Sequence, residues 1–191
     1  MHCSLDWRNA TPKPFVGYYP ALVSQTEIEE SVSLLQDENQ WTRTVVGPPL
    51  TTETVQKRDN YDPLKPQSLS SFEPTVTRPL GDIVLARSGD KGGNVNIGLF
   101  VQTQDQWDWF RAFMTRDRLR GLMGKDWRDE YFIERVEMPG IRAVHFVVYG
   151  LLGRGVSSSR LLDSLGKGFA EFIRAVHVPV PVKFVNEPAK L

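Results

Sequence analysis

The chain has 191 residues, of which 40% are hydrophobic and 24% are charged, as in an ordinary globular protein of one or two domains. Its formal net charge at pH 7 is zero, so bulk electrostatics favour neither a nucleic acid nor an anionic membrane as a partner. The lone cysteine, Cys3, excludes an internal disulfide. The sequence shows neither a signal-peptide pattern nor an apolar run of the ~18 residues that a membrane-spanning helix needs. It therefore predicts a cytoplasmic protein.

The first part of the chain is predicted to hold few regular elements. Ser24 and Glu27 have the spacing of a capping box, and the apolar residues after them recur at helical spacing, which predicts a helix at about residues 25–35. Residues 41–46 alternate as in a strand that ends at a Gly-Pro-Pro sequence. Residues 52–59 are expected to form a short helix. Residues 61–78 contain three prolines and several serines, which is typical of a linker.

The rest of the chain predicts the element order β-β-α-β-β-α-β. Strands are expected at 82–87, 95–102, 131–138, 141–149 and 178–185, and helices at 105–121 and 161–176. Pro179 and Pro181 favour an edge position for the last strand, because proline cannot donate a hydrogen bond to a neighbouring strand. We therefore predict an α+β, ferredoxin-like fold with helices on one face of an antiparallel sheet, preceded by a small irregular N-terminal segment.

Two blocks of sequence carry a family resemblance. The first is ARSGDKGGNVNIG, at residues 86–98, and the second comprises AVHFVVYG at residues 143–150 and LGRGVSSSRL at residues 152–161. In this order the two blocks resemble the C-terminal ferredoxin-fold domain of the AtuA-like proteins, which are named for acyclic terpene utilisation. The resemblance implies a ferredoxin-like domain at residues 79–187.

Shorter pieces before residue 64 resemble the end of the larger domain that precedes this one in longer family members. These pieces are residues 1–6, 14–15, 18–20 and 58–63. The resemblance thus divides the chain into a remnant of that domain at 1–60, a linker at 61–78 and the ferredoxin-like domain. Two interpretations remain open: a fragment of a longer protein, or a natural short form whose second domain works alone or with a partner.

Two polar loops are the candidate substrate-binding site. The loop at residues 87–96 combines glycines, cations and asparagines, which suits an anion held by backbone N–H groups and side chains. The loop at residues 153–160 is expected to end at a helix N-terminus, where an anion is also favoured. The predicted substrate-binding residues are Arg87, Ser88, Asn94, Asn96, Ser157, Ser158 and Arg160. The alternatives are a plain hairpin turn with surface charges and serines that only cap a helix.

Asp90, Lys91 and His145 are the predicted catalytic residues. Asp90 and Lys91 are adjacent, and a turn can bring neighbouring side chains together for proton transfer. His145 lies in an apolar strand, and histidine is the side chain that ordinarily titrates closest to neutral pH. The alternatives are a solvated surface pair for the first two residues and a hydrogen-bonded structural role for His145.

The functional prediction combines these residues with the resemblance. The sequence contains no nucleotide-phosphate loop, no Gly-x-Ser-x-Gly elbow and no metal-ligand spacing, so no cofactor or metal is expected. The favoured prediction is a cofactor-independent lyase or isomerase that acts on a carboxylate- or thioester-bearing terpenoid- or polyketide-like small molecule, and the resemblance supplies that substrate class. The alternative is a non-catalytic interaction module that docks on a larger partner protein.

A homodimer is also predicted. An edge strand presents unpaired backbone groups to a second chain. Trp109 lies off the apolar side of its predicted helix and has no evident partner within the chain, which favours a dimer or domain contact.

Overall fold

The computed structural model describes residues 11–12, 14, 21–37, 40–56, 60–159 and 161–185. Within these residues the strands are β1 Glu30–Asp37, β2 Gln40–Val46, β3 Thr75–Pro79, β4 Leu85–Lys91, β5 Asn94–Phe100, β6 Phe132–Met138, β7 Ala143–Tyr149 and β8 His177–Pro181. The α-helices are α1 Gln104–Phe113, α2 Arg116–Met123, α3 Phe169–Ala175 and α4 Val182–Val185. Among the described residues, no helix has both the length and the apolar character that crossing a bilayer requires.

The main sheet has four antiparallel strands in the order β4-β5-β7-β6. Residues alternate between buried and partly exposed along β5, so the sheet has two distinct faces. The helix face carries the fully buried side chains Val95, Ile97, Leu99, Val144, Phe146 and Val148, which pack in one core with residues of α1, α2 and α3. This arrangement confirms the predicted ferredoxin-like α+β fold.

The other side of the sheet is called the open face. By strand register it comprises Leu85, Arg87, Gly89 and Lys91 of β4; Asn94, Asn96, Gly98 and Phe100 of β5; Phe132, Glu134, Val136 and Met138 of β6; and Ala143, His145, Val147 and Tyr149 of β7. Polar and apolar side chains are mixed on this face, and its residues on the edge strands β4 and β6 are more exposed than Ala143 and Val147 of the inner strand β7.

The predicted helices differ in detail from the observed ones. The helix expected at residues 105–121 is two helices, because the Thr115 side chain accepts a hydrogen bond from Arg118 N and starts α2. The helix expected from residue 161 begins only at Phe169. Gly166 has a φ of 61°, in the left-handed region, and the Asp163 carboxylate accepts hydrogen bonds from the N–H groups of residues 167 and 168.

The predicted helix at residues 25–35 is wrong. Only a 3-10 turn, Gln25–Glu27, forms there, and the Ser24 side chain makes no capping hydrogen bond. β1 follows and pairs with β2, with Val32 opposite Thr44 and Leu35 opposite Trp41. The strand predicted at 41–46 is confirmed as β2. Residues 52–56 lack the predicted helix, and the rest of that helix and the pieces at 1–6 lie outside the described residues.

Another two-stranded sheet joins the segment before the main sheet to the segment after it. β3 pairs with β8 in an antiparallel two-stranded sheet, and Val182 N donates to Pro74 O at its end. The last strand therefore pairs outside the main sheet. It ends at Pro181, and α4 begins at the next residue, Val182. Within the range interpreted as a linker, Phe72 is buried in the core.

A buried arginine fixes the segment before β3 to the main sheet. Arg135 is 0% exposed. Its guanidinium donates hydrogen bonds to the carbonyl oxygens of Tyr61, Arg111 and Met114 and, at 3.0 Å, to Glu137 Oε1. A buried charge is tolerated when it is paired and its donors are bonded, as they are here.

Two neighbouring side chains complete this attachment. Asn60 accepts a hydrogen bond from Arg135 N at 3.0 Å and donates one to Ile133 O at 3.3 Å, so its amide pairs with the edge of β6. Asp62 accepts from both the backbone and the side chain of Arg116. The division into remnant, linker and domain stays a prediction, but residues 60–62, at its first boundary, are bonded to the sheet.

Candidate functional site

The first predicted loop is mostly strand. Cross-strand pairing continues as far as Lys91 opposite Asn94, so Arg87 to Lys91 belong to β4. Only Gly92 and Gly93 form the turn between β4 and β5. Gly92 has a φ of 62°, the left-handed conformation that a two-residue hairpin turn requires and that glycine adopts without strain.

The turn packs directly against the second glycine-rich loop. Leu152 N donates to Gly93 O at 2.9 Å, and Gly150 N donates to Asn94 Oδ1 at 3.0 Å. A Cβ atom added at Gly93 would lie 2.3 Å from Gly153 O, closer than any real contact. The two sequence blocks therefore meet in space, and the lack of a side chain at Gly93 is what allows this approach.

The sheet separates the predicted catalytic residues. Asp90 lies opposite Val95, a fully buried residue of the helix face, whereas Lys91 and His145 lie on the open face. His145 lies opposite Gly98, three residues along β5 from the partner of Asp90, which is about 10 Å along the strand. Asp90 and His145 thus point to opposite sides of the sheet and do not converge on one reacting atom.

The predicted substrate-binding residues divide in the same way. Arg87, Asn94 and Asn96 lie on the open face, and Ser88 lies on the helix face. Ser88 Oγ accepts a hydrogen bond from Ala170 N at 2.8 Å and donates one to Lys167 O at 3.2 Å, so it fastens the start of α3 to β4. Ser88 and Asn94 therefore both satisfy backbone groups, which is a structural use of their polar atoms.

The serines of the second loop do not cap a helix. Ser157 and Ser158 are exposed in turns well before α3, and the first N–H groups around that helix are instead bonded by Asp163 and Ser88. Arg160 lies outside the described residues. The predicted helix N-terminus at the end of this loop is wrong, because the helix begins eight residues later than the sequence suggested. A substrate-binding role of the two serines stays a prediction.

A cleft of about 370 Å³ opens on the helix side of the sheet, beneath the second loop. Its wall includes Val95, Tyr131, Leu152 and Phe169, and Lys125 and Arg128 also border it. This volume is within the range of small-ligand sites, about 300–1,000 Å³. None of the predicted site residues in the described part of the chain lines it; the nearest link is Val95, the cross-strand partner of Asp90.

The open face carries a feature that the sequence analysis missed. Leu85, Phe100, Ala143 and Met138 lie side by side across all four strands and form an apolar row at one end of the face. The rest of the face is mixed. Arg87 and Lys91 on β4 and Glu134 on β6 are charged, whereas Phe132 and Val136 on β6 are apolar. Tyr149 Oη donates to Glu134 Oε2 at 2.9 Å. The alternation within each strand indicated which residues share a face. The order and register of the strands were needed to show that these four residues are neighbours.

Trp109 is not a surface residue. It is 2% exposed, and its ring stacks on Phe113 at a centroid distance of 4.7 Å and meets Phe184 of α4 edge-on at 6.0 Å. The expectation that Trp109 is available for a dimer contact is wrong, because α4, which the sequence analysis placed in a strand, covers it. The homodimer itself stays a prediction.

A family model matches the part of the chain that forms the main sheet and the cleft. The model of the AtuA ferredoxin-like domain matches residues 78–179, more than half of the 191 residues, which confirms the resemblance carried by the two sequence blocks. No curated protein and no solved structure matches the chain.

Proposed function

The chain belongs to the AtuA ferredoxin-like domain family, and we propose that it is a protein-interaction module that docks through the open face. The observation that carries this proposal is the apolar row, in which Leu85, Phe100 and Met138 are 39, 36 and 42% exposed. Ile141, in the turn beside the row, is 65% exposed. Contiguous exposed apolar side chains are typical of interaction sites, and the second face of a sheet commonly packs on another layer.

The positions of the predicted catalytic residues favour this function over acid–base catalysis. General acid–base chemistry needs the proton donor and acceptor within hydrogen-bond reach of one substrate. Asp90 and His145 lie on opposite faces of the sheet, and Ser88 and Asn94 already bond to backbone groups. The lyase or isomerase predicted from the sequence would have to work with the open-face residues alone.

The experiment that tests the docking function compares two phenylalanines of similar exposure. A photo-crosslinking phenylalanine analogue replaces Phe100 on the open face or Phe172 on the helix side, which are 36% and 41% exposed, in cells that produce the full chain. We expect covalent protein adducts from position 100 and few from position 172. Adducts in equal yield from both positions, or none from position 100, would refute docking through this face.

The cleft supports a second candidate function, which is the binding of a small molecule with an apolar body and an anionic group. Its apolar wall would hold the body, and Lys125 would meet the anionic group. A panel of branched acyclic acids and thioesters, assayed for binding and turnover, tests this candidate. Binding that weakens in Lys125→Ala but not in Lys65→Ala, an exposed lysine outside the cleft, would support it.

The same panel tests the predicted proton-transfer residues. If Asp90 or His145 moves a proton during turnover, Asp90→Asn or His145→Ala lowers the turnover rate by ~100-fold or more. Equal turnover in wild type and both variants would remove both residues from the mechanism. The absence of binding by every member of the panel would favour the interaction module.

A further inference from the structure

The open face is complementary to itself, and we propose that its docking partner is a second copy of this chain, packed face to face with the two sheets aligned. This inference rests on the proposed docking function and names the occupant of that surface. The strand register fixes the order of side chains across the face, and this order matches that of a second copy.

Three rows of the face are defined by directly paired residues. The first row is Leu85, Phe100, Ala143 and Met138; the second is Arg87, Gly98, His145 and Val136; the third is Gly89, Asn96, Val147 and Glu134. In each row the residues run in the order β4, β5, β7, β6. The first row is apolar throughout, whereas the other two have a cation or a glycine at the β4 edge.

Suppose that a two-fold axis lies in the interface and runs parallel to the strands. Each row of one copy then faces the same row of the second copy, with the strand order reversed. β4 then faces the second copy's β6, and β5 faces the second copy's β7, as in sheets that pack in the aligned manner. Within the apolar row, Leu85 faces Met138, and the large Phe100 faces the small Ala143. The apolar side chains of both copies are thus buried together, and large residues oppose small ones.

The same operation matches the charges. Glu134 on β6 faces Gly89 on β4, which lies between the exposed cations Arg87 and Lys91 of the same strand. Gly89 has no side chain, and a Cβ placed there would touch nothing nearer than Asn96 Oδ1 at 3.8 Å. The carboxylate of one copy, whose Oε2 accepts from Tyr149 Oη, therefore lies opposite a glycine that is flanked by two cations of the other copy. Symmetry forms this juxtaposition twice.

Like charges do not meet in this arrangement, and opposite charges do. Electrostatic complementarity of this kind favours a particular partner and orientation. An unrelated protein would need its own apolar row and its own acid at the matching spacing, whereas a second copy supplies both. The face thus favours self-association over another partner.

Sedimentation of the full chain across a wide range of concentrations tests the proposal. We expect a concentration-dependent dimer whose dissociation constant rises at least about tenfold in Arg87→Glu and in Glu134→Lys. Phe100→Asp should abolish the dimer. Arg78→Glu, a charge reversal on β3 outside the main sheet, is the matched control and should leave the dimer unchanged.

The triple variant Arg87→Glu, Lys91→Glu, Glu134→Lys separates an interface from a folding defect. It exchanges the charges on both sides of every predicted contact, so it should recover most of the affinity that the single reversals lose. A dimer that persists in Phe100→Asp, or a triple variant no tighter than the single ones, would overturn this interface. A wild-type monomer at all concentrations would overturn self-association, while adducts to another protein from position 100 would still support docking.

Discussion

Gly93 is the residue at which the two sequence blocks approach each other most tightly. The carbonyl oxygen of Gly153 occupies the space that a side chain at Gly93 would need. Both groups belong to the backbone, so neither can move aside without breaking the hydrogen bond between Leu152 N and Gly93 O. The glycine content of the signature therefore has a packing reason that does not depend on a ligand.

Gly93→Ala is predicted to lower the free energy of unfolding by about 1–3 kcal/mol, as overpacking does. Urea denaturation measures this change. Gly121→Ala is the control, because a Cβ at that helical position meets nothing within 4 Å and alanine favours a helix more than glycine does. Equal stability of Gly93→Ala and wild type would mean that the two loops do not pack as described.

Arg135 is the second residue with a large predicted effect. Arg135→Met leaves three backbone carbonyls without their donor and weakens the pairing of the buried Glu137. Breaking a buried pair from one side costs about 3–5 kcal/mol. Arg120→Met, which removes an exposed ion pair with Asp129, should cost about 0–1 kcal/mol. Similar unfolding midpoints for the two variants would contradict the structural role of Arg135.

Among the secondary-structure elements, the predictions were right or wrong depending on how the strands pair. The sequence predicted the β6–β7 hairpin from its alternation and turn residues. It also predicted β4 and β5, but with a loop at 87–96 where the structure has a two-residue turn. The strand β1 was mistaken for a helix because Ile28, Val32 and Leu35 have helical spacing, yet its pairing with β2 determines its conformation. The spacing of apolar residues within one segment does not show that the segment pairs with another strand.

The residue types of the candidate site could be predicted from the sequence, but the directions of its side chains could not. The sequence indicated that Arg87 to Asn96 would be polar. It left open whether this loop lies close to the second one, and the structure shows that the two meet. It placed these residues in a loop, in which neighbouring side chains can converge. The strand register instead sends Asp90 and Lys91 to opposite faces, and a one-residue difference in register would have exchanged them.

The β1–β2 hairpin provides a prediction at this scale. Every residue of β2 is exposed, and a two-stranded hairpin without a packed face is marginally stable. Amide hydrogens of β1 and β2 should therefore exchange much faster than those of the central strands β5 and β7, as mass spectrometry of exchanged peptides would show. Equal protection in the two regions would mean that another surface covers the hairpin.

At the scale of the whole molecule, the folded unit extends further than the family match. Phe72 is in the core, β3 pairs with β8, and Asn60 bonds to the edge of β6. A chain that begins at residue 60 should unfold at the same denaturant concentration as the main sheet of the full chain. A chain that begins at residue 79 should lose at least about 3 kcal/mol. If residues 61–78 were only a linker, the two shortened chains would be equally stable.

Side-chain oxidation by hydroxyl radicals can show directly whether the open face is a docking surface. Met138 and Phe172 are almost equally exposed, at 42 and 41%, on opposite sides of the sheet. If a partner covers the open face, Met138 is oxidised less in intact cells than in the dilute purified chain, whereas Phe172 is oxidised equally in both. Unchanged oxidation of Met138 between cells and dilute solution would contradict the account.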